Sequence, residues 1–253
     1  MMLLVDIGNT ALKWQWLGEP ASTVAAVYHQ NRWSEAMLQV LSECGRAPEQ
    51  IFICSVAGKD NDQHLAARVE QVVGVRPQFF YSCKRQLDVE NAYVKPGQLG
   101  ADRWLAIIES YCQYGASLIV DAGSALTIDM VDASGKHQGG YIVPGIAMQY
   151  QSLFGATADV KGRVLLGQRD FGNSTEACVN NGIWQMAVGL VSSALDDAQK
   201  LGEANVSLVL TGGDHVKLAG QFERAISCPN LVLDGLARVA KETLKCVKPQ
   251  GCS

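Results

Sequence analysis

The sequence is short of positive charge and of histidine. Lys and Arg number 21 against 25 Asp and Glu, a formal net charge of -4 over 253 residues. Nucleic-acid binding rests on neutralising phosphates with Lys and Arg, so a mildly acidic chain without a basic stripe is a poor candidate for it. With four histidines and no CxxC pair among eight cysteines, no zinc-ligand spacing is present. No stretch reaches the roughly 20 apolar residues of a membrane span. The opening Met1-Met2-Leu3-Leu4-Val5-Asp6 lacks the basic flank and the apolar length of a signal peptide. A P-loop is missing too, since GxxxxGK[ST] occurs nowhere. The cysteines are Cys44, Cys54, Cys83, Cys112, Cys178, Cys228, Cys246 and Cys252, mostly inside apolar runs where free Cys acts as a small hydrophobe. These absences point to a reduced, cytoplasmic protein that engages neither nucleic acid nor membrane.

What is present is an ordinary globular balance, 48% hydrophobic and 18% charged, with apolar material for a real core. The main organisational clue is an internal repeat. LLVDIGNTALKWQWL aligns without gaps on LIVDAGSALTIDMVD, with Asp6 over Asp121 and Gly8 over Gly123, an offset of 121 − 6 = 115 residues. Each copy is followed by further strands and then helices. The expectation is two α/β lobes of similar plan, residues 1–115 and 116–253, facing each other across a cleft. Chance similarity is the competing explanation, because D-x-G turns between apolar strands are common.

Strands are expected at both copies of the repeat, at 24–29, 51–56, 77–81, 139–145 and 208–211. Helices are expected at 34–44 with Ser34 as N-cap, at 62–73 stopping at Gly74, at 101–114 and at 175–201, with two more near the end. Residues 91–100 read as an irregular polar loop and 248–253 as a loose tail.

The first turn runs Asp6-Ile7-Gly8-Asn9-Thr10-Ala11-Leu12-Lys13. A strand-end carboxylate is costly to bury unless it binds something. Gly8 lets the backbone turn tightly and bring an amide close to an anion. Asn9 and Thr10 can donate to phosphate oxygens, Lys13 suits a terminal phosphate, and Asp6 can orient a hydrated Mg²⁺. An ordinary hairpin turn would use the same Asn and Gly for backbone reasons. In the second copy Ser124 is placed to touch phosphate. Asp121 either ligates a cation or caps its turn, and Asp129 on the outgoing strand is expected to face solvent. Leu99-Gly100-Ala101-Asp102-Arg103-Trp104 sits at a helix N-terminus, where the dipole alone favours an acidic residue. It does not account for Gly100 and Arg103. A carboxylate beside a guanidinium is what phosphoryl transfer to an alcohol needs: one accepts the hydroxyl proton, the other binds anionic oxygens. Thr211-Gly212-Gly213 ends a buried strand and either seats a flat adenine or is a plain turn.

DIGNTALK, LGADRW, DAGSALTID and GGYIVPG, in that order along nearly the whole chain, resemble the type III pantothenate kinases of the actin-like (acetate and sugar kinase, Hsp70, actin) superfamily. The resemblance implies duplicated actin-like, ribonuclease H-like lobes, with mixed sheets flanked by helices and the nucleotide in the cleft. It implies ATP-dependent phosphorylation of the primary hydroxyl of pantothenate, the first step toward coenzyme A, in a homodimer whose pocket is built partly by the neighbouring subunit. Carried over, Asp6, Ile7, Gly8, Asn9, Thr10, Ala11, Leu12 and Lys13 bind ATP, as does Ser124. Tyr93, Gly100, Ala101, Asp102, Arg103 and Thr175 bind pantothenate, and Asp102 is the catalytic base. Asp121 binds potassium or ammonium; Asp6 serves Mg²⁺ or another divalent cation, through water. Ser124 stands where the family usually has Thr. Thr175 also stands where a helix cap is expected. A related small-molecule kinase and a nucleotide-binding regulator of the same fold are the alternatives.

Overall fold

The structure is a computed structural model that describes residues 1–19, 24–28, 32–156, 167–168, 170–203 and 205–247. The chain divides into two compact units. One is Met1–Glu109 joined by the chain from Asn230; the other is Ser110–Pro229.

The first unit is built on β1 (Met2–Ile7), β2 (Ala11–Trp16), β3 (Ala25–Tyr28), α1 (Trp33–Glu43), β4 (Gln50–Ser55), α2 (Lys59–Val73) and β5 (Gln78–Phe80). Its sheet has the order β3-β2-β1-β4-β5, with β1–β2 and β2–β3 antiparallel and β1–β4 and β4–β5 parallel. Leu3, Leu4 and Val5 of β1 and Ile51, Phe52 and Ile53 of β4 are all buried. That continuous apolar pattern belongs to central parallel strands covered on both faces. Met37 and Val40 of α1 and Leu65 and Val69 of α2 join the same core. Helix α2 ends where Gly74 turns left-handed at φ 70°, its N–H donating to the Glu70 carbonyl. A hairpin follows, β6 (Arg85–Gln86) and β7 (Val89–Glu90), turned by Leu87 and Asp88 at φ 48° and 65°. Two successive left-handed residues give the type I′ twist that suits a two-residue hairpin. Then α3 (Ala101–Tyr114) begins.

The second unit repeats the plan with β8 (Ser117–Ala122), β9 (Ala125–Val131), β10 (His137–Pro144), α4 (Ile146–Ala156), α5 (Thr175–Lys200), β11 (Ser207–Thr211), α6 (His215–Ala219) and β12 (Ile226–Ser227). Sheet order is β10-β9-β8-β11-β12, with the same sequence of strand directions as in the first sheet. Trp184, Val188 and Val191 of α5 pack on Leu118, Val120, Ile128 and Leu210 of this sheet.

The last helix, α7 (Leu231–Val247), packs on β1 and β4 of the first unit. Gly235 permits the approach, since a Cβ there would lie 2.4 Å from the Leu105 carbonyl oxygen of α3. Arg238 adds a bidentate ion pair, its Nε and Nη2 donating to the Glu109 carboxylate at 2.6 and 2.9 Å. The expected boundary at residue 115 therefore differs from the contact division, which falls after Glu109 and returns the C-terminal helix to the first unit.

Several local expectations are corrected. Helix α1 is preceded by Arg32 as cap residue, with no side-chain cap hydrogen bond, and Ser34 lies inside the helix. Helix α2 starts at Lys59, because Gly58 at φ 95° turns the chain straight into it. Asp129 does not face solvent: it is 2% exposed, its Oδ1 2.9 Å from Nε2 of buried His137. Of the described cysteines only Cys44 and Cys54 are buried, while Cys112 and Cys178 are exposed. The hairpin β6–β7, helix α4 and strand β12 were not anticipated. His29 of the expected third strand and the tail 248–253 lie outside the described residues.

The repeat also acquires a gap. The bounds of β1 moved by 115 are those of β8, yet Ile7 pairs with Leu12 whereas Ala122 pairs with Leu126. The second turn is thus one residue shorter. Asn9 and Thr10 together face Ser124 in the comparison, and Lys13 corresponds to Thr127.

Candidate active site

In the first turn the Gly8 N–H donates to the Ala11 carbonyl at 3.1 Å. Asn9 and Thr10 are exposed at its tip, while the side chains of Ile7 and Leu12 are 0% exposed. The last two therefore present no surface to a ligand, contrary to the expected ATP contacts, and serve instead to fix the ends of the turn. Asp6 and Lys13 are cross-strand partners, which sets both side chains on one face of the sheet.

On the other side Asp6 pairs in parallel with Cys54 at the end of β4. Burial pushes the Cys54 thiol well above the usual range; the charges of Asp6 and Asp102, a hydrogen bond with Asp6 and the charge of Asp62 push it further. The charges of three carboxylates from distant parts of the sequence thus reach one buried thiol. Asp6 and Asp102, two of the expected site residues, are among the three. Asp62, 2% exposed and accepting the Tyr81 hydroxyl at 3.0 Å, was missed. Burial and this bond raise the Tyr81 pKa to about 12. The parallel pairing of β1 with β4 reveals Cys54, and the hydrogen bond with Tyr81 singles out Asp62; a one-dimensional reading has no signal for either.

Helix α3 supplies the other half of this cluster. The Arg103 N–H donates to Asp102 Oδ1 at 2.8 Å, fixing the carboxylate at the helix start. A Cβ on Gly100 would stand 2.4 Å from that Oδ1, so the glycine clears the space the carboxylate occupies. Arg103 is 7% exposed and its Nη1 donates to the Tyr93 hydroxyl at 3.1 Å, with the guanidinium carbon 6.0 Å from the ring centroid. Tyr93, Gly100, Ala101, Asp102 and Arg103 therefore form one group, and the helix dipole is only part of the reason for Asp102.

In the second unit Asp121 is packed between glycines. A Cβ on Gly212, at φ 88°, would lie 2.3 Å from Asp121 Oδ1, and one on Gly123 would lie 3.3 Å from it. The Asp214 N–H donates to the Ala122 carbonyl at 2.9 Å and the Gly145 N–H to the Ser124 carbonyl at 3.0 Å. The turns after β8, β10 and β11 thus meet around Asp121, with Ser124 exposed at the tip. Close approach to Asp121 accounts for Gly212, while Gly213 has open space beside it. A carboxylate within glycine-walled main chain offers hard oxygen donors, which fit a potassium-like cation. Among the described residues no three His, Cys, Asp or Glu side chains are grouped to hold a metal ion. A divalent ion at Asp6 would have to be held by one carboxylate, water and substrate phosphates, the usual mode of Mg²⁺.

Thr175 opens α5 and is exposed, but the helix cap is Ser174, whose Oγ accepts the Ala177 N–H at 3.2 Å. Its hydroxyl is not the cap. It lines an open groove of about 850 Å³ with Leu153, Gly172, Cys178, Ile183 and Met186.

The type III pantothenate kinase family matches residues 2–197. The chain belongs to the type III pantothenate kinase family. A type III pantothenate kinase of Alcanivorax borkumensis is 40% identical over 241 residues, covering 95% of this chain and 98% of that one. Among solved structures, a Campylobacter jejuni protein described as a Baf family transcriptional activator superposes with a TM-score of 0.63 at 23% identity, over 96% of this chain and 99% of its own. A Sinorhizobium meliloti protein described as a 2-dehydro-3-deoxygalactonokinase gives 0.54 at 13% identity, over 98% and 100%. These two likenesses show the fold alone. It is the expected actin-like α/β class, with two mixed sheets flanked by helices. Family membership makes the chain an ATP-using kinase. No described helix is long and apolar enough to cross a membrane.

Proposed function

We propose that this pantothenate kinase transfers the γ-phosphoryl group of ATP to the primary hydroxyl of pantothenate with Asp102 as general base. The observation that carries this reading is the start of α3, where Gly100 clears room for the Asp102 carboxylate and Arg103 Nη1 donates to the Tyr93 hydroxyl at 3.1 Å. A primary hydroxyl is a weak nucleophile. In a loose phosphoryl-transfer transition state it needs positioning, and a base that takes its proton late, more than it needs a strong base. Asp102, held by the Arg103 N–H, is oriented to do this. The Arg103 guanidinium, steadied by Tyr93, suits bidentate binding of the pantothenate carboxylate or hydroxyls. Gly100, Ala101 and Thr175 complete the pantothenate contacts.

ATP is held by the main chain of Gly8 and Ala11, by the side chains of Asn9, Thr10 and Lys13, and by Ser124. Asp6 would hold Mg²⁺ through water and Asp121 would hold potassium or ammonium. These cations neutralise phosphate charge when bound. The kinase acts as a homodimer in the cytoplasm. Exposed Met148, Leu153 and Met186, at 47%, 40% and 64%, support a partner on the α4–α5 surface.

The test is ADP release measured with pantothenate against a panel of sugars and short acids, in potassium, ammonium and sodium buffers. Turnover is expected with pantothenate alone, and only when potassium or ammonium is present. Turnover with a sugar, or without any acceptor, overturns the pantothenate reading. Equal rates in sodium-only buffer remove the role of Asp121.

A further inference from the structure

Asn91 is 0% exposed, although its neighbours Ala92, Val94 and Lys95 are exposed. The hairpin β6–β7 delivers it: the Asn91 N–H donates to the Lys84 carbonyl at 2.9 Å, and Lys84 Nζ donates to the Asn91 carbonyl at 2.8 Å. Its carboxamide is fully used. Nδ2 donates to the carbonyls of Cys83 and Pro96 at 3.2 and 3.3 Å, and Oδ1 accepts the Tyr93 N–H at 2.9 Å. One side chain therefore ties the entry of the loop, the backbone at Tyr93 and the turn at Pro96–Gln98 that leads to Gly100. Ser82 closes the same excursion, its Oγ donating to the Leu99 carbonyl at 2.9 Å. These side-chain bonds all go to the stretches that bracket Tyr93 and Gly100. Tyr93 in turn receives the Arg103 Nη1 at 3.1 Å.

We propose that Asn91 is a positioning residue for the acceptor: its carboxamide fixes the main chain at Tyr93 and so sets where that tyrosine meets Arg103. The inference rests on the reading that Tyr93 and Arg103 hold pantothenate. Truncation leaves two carbonyls and one N–H of the loop without the side-chain partner that defines their places. Tyr93 then samples positions from which Arg103 is not steadied, and weakened acceptor binding follows.

The experiment measures KM for pantothenate, KM for ATP, kcat and Tm for Asn91→Ala, Tyr93→Ala and the double variant, with Arg103→Lys in parallel. Asn91→Ala is expected to raise KM for pantothenate about tenfold, the scale of one lost buried hydrogen bond, and to leave KM for ATP within about twofold. In the Tyr93→Ala background the same change is expected to add nothing, because residues acting through one another are not additive. Should Asn91→Ala fail to fold, Asn91→Ser replaces it; its hydroxyl can still accept the residue-93 N–H but cannot reach both carbonyls. A lowered Tm with unchanged KM for pantothenate, a parallel rise in both KM values, or full additivity with Tyr93→Ala overturns the proposal. If Arg103→Lys leaves KM for pantothenate unchanged, the acceptor reading itself fails. If Arg103→Lys raises it while both Asn91 variants do not, only the role of Asn91 fails.

Discussion

Strands β1 and β8 each carry an aspartate as the fifth of six residues, and each is followed by a glycine whose N–H closes back on the outgoing strand. The surroundings of the two aspartates then diverge. Asp6 borders a buried thiol shared with Asp102 and Asp62, and its cross-strand partner is Lys13. Asp121 is walled by Gly123 and Gly212, and its cross-strand partner is Thr127. The first turn also has the extra residue that puts both Asn9 and Thr10 at its tip. A duplicated frame supplies two strand-end carboxylates at no difference in topology. Charge and loop length around them set one between a lysine and a buried thiol and the other within a main-chain cradle.

The strongest way to break that contrast is Asp102→Asn. If the first unit holds the base, kcat falls by about 10²–10⁴ while Tm and nucleotide affinity, read by calorimetry, stay close to the parent. Near-normal phosphorylation by this variant would leave the first unit without its catalytic distinction.

Next in size is Gly212→Ala, aimed at the cradle. The left-handed backbone and the overlap with Asp121 Oδ1 and the Ala122 main chain both oppose a side chain. A stability loss of about 1–3 kcal/mol in denaturant unfolding is expected, together with weaker activation by potassium. Gly213→Ala is the control, because its Cβ enters open space. Equal behaviour of the two variants would mean that the glycines are turn residues and nothing more.

Lys13→Thr sharpens the comparison from the other side by giving the first turn the residue of the second. Loss of one charge on phosphate is expected to raise KM for ATP about tenfold with little change in KM for pantothenate. The effect should shrink at high salt, since a partly exposed charge is screened. An unchanged KM for ATP would place Lys13 outside the nucleotide contacts.

These contrasts were legible in the sequence to different depths. Continuous apolar runs ending in Asp-x-Gly announced β1 and β8, because central strands have to be apolar on both faces. The Gly-Ala-Asp-Arg group stood out because its residue types were in excess of what a helix start needs, and the structure ties it to Tyr93. The one-residue difference between the turns was hidden, since Leu126 and Thr127 permit a gapless match that only strand register refutes. Cys54 was hidden because parallel pairing joins residues far apart in the chain, and Asp62 because only its tertiary bond with Tyr81 sets it apart from an ordinary acidic residue in a helix's first turn. Asn91 was hidden because its partners are main-chain atoms, which carry no residue signature. The place of α7 was hidden for a related reason: the chain returns to the first unit after the whole of the second has been built.

That returning helix has no part in the duplicated frame, and Asp234 offers the mildest test of whether it serves stability alone. Burial, and then the charge of Glu109, raise the Asp234 pKa, against the pull of Arg238 and Lys241. A carboxyl whose folded pKa is raised binds its proton more tightly when folded, so its ionisation works against folding. The penalty is absent below the unfolded pKa, grows as pH rises through the folded one and is complete above it. Asp234→Asn should therefore raise Tm modestly at neutral pH, by an amount that shrinks as pH falls and vanishes below about pH 4, where the parent carboxyl becomes protonated in both states. The residue is half-buried and still meets solvent, so the gain is small and screened by salt. Both KM values should stay where they are. A shift in either, with or without the change in Tm, would mean that α7 reaches the chemistry through β1, and that the first unit differs from the second by an added helix as well as by its turn.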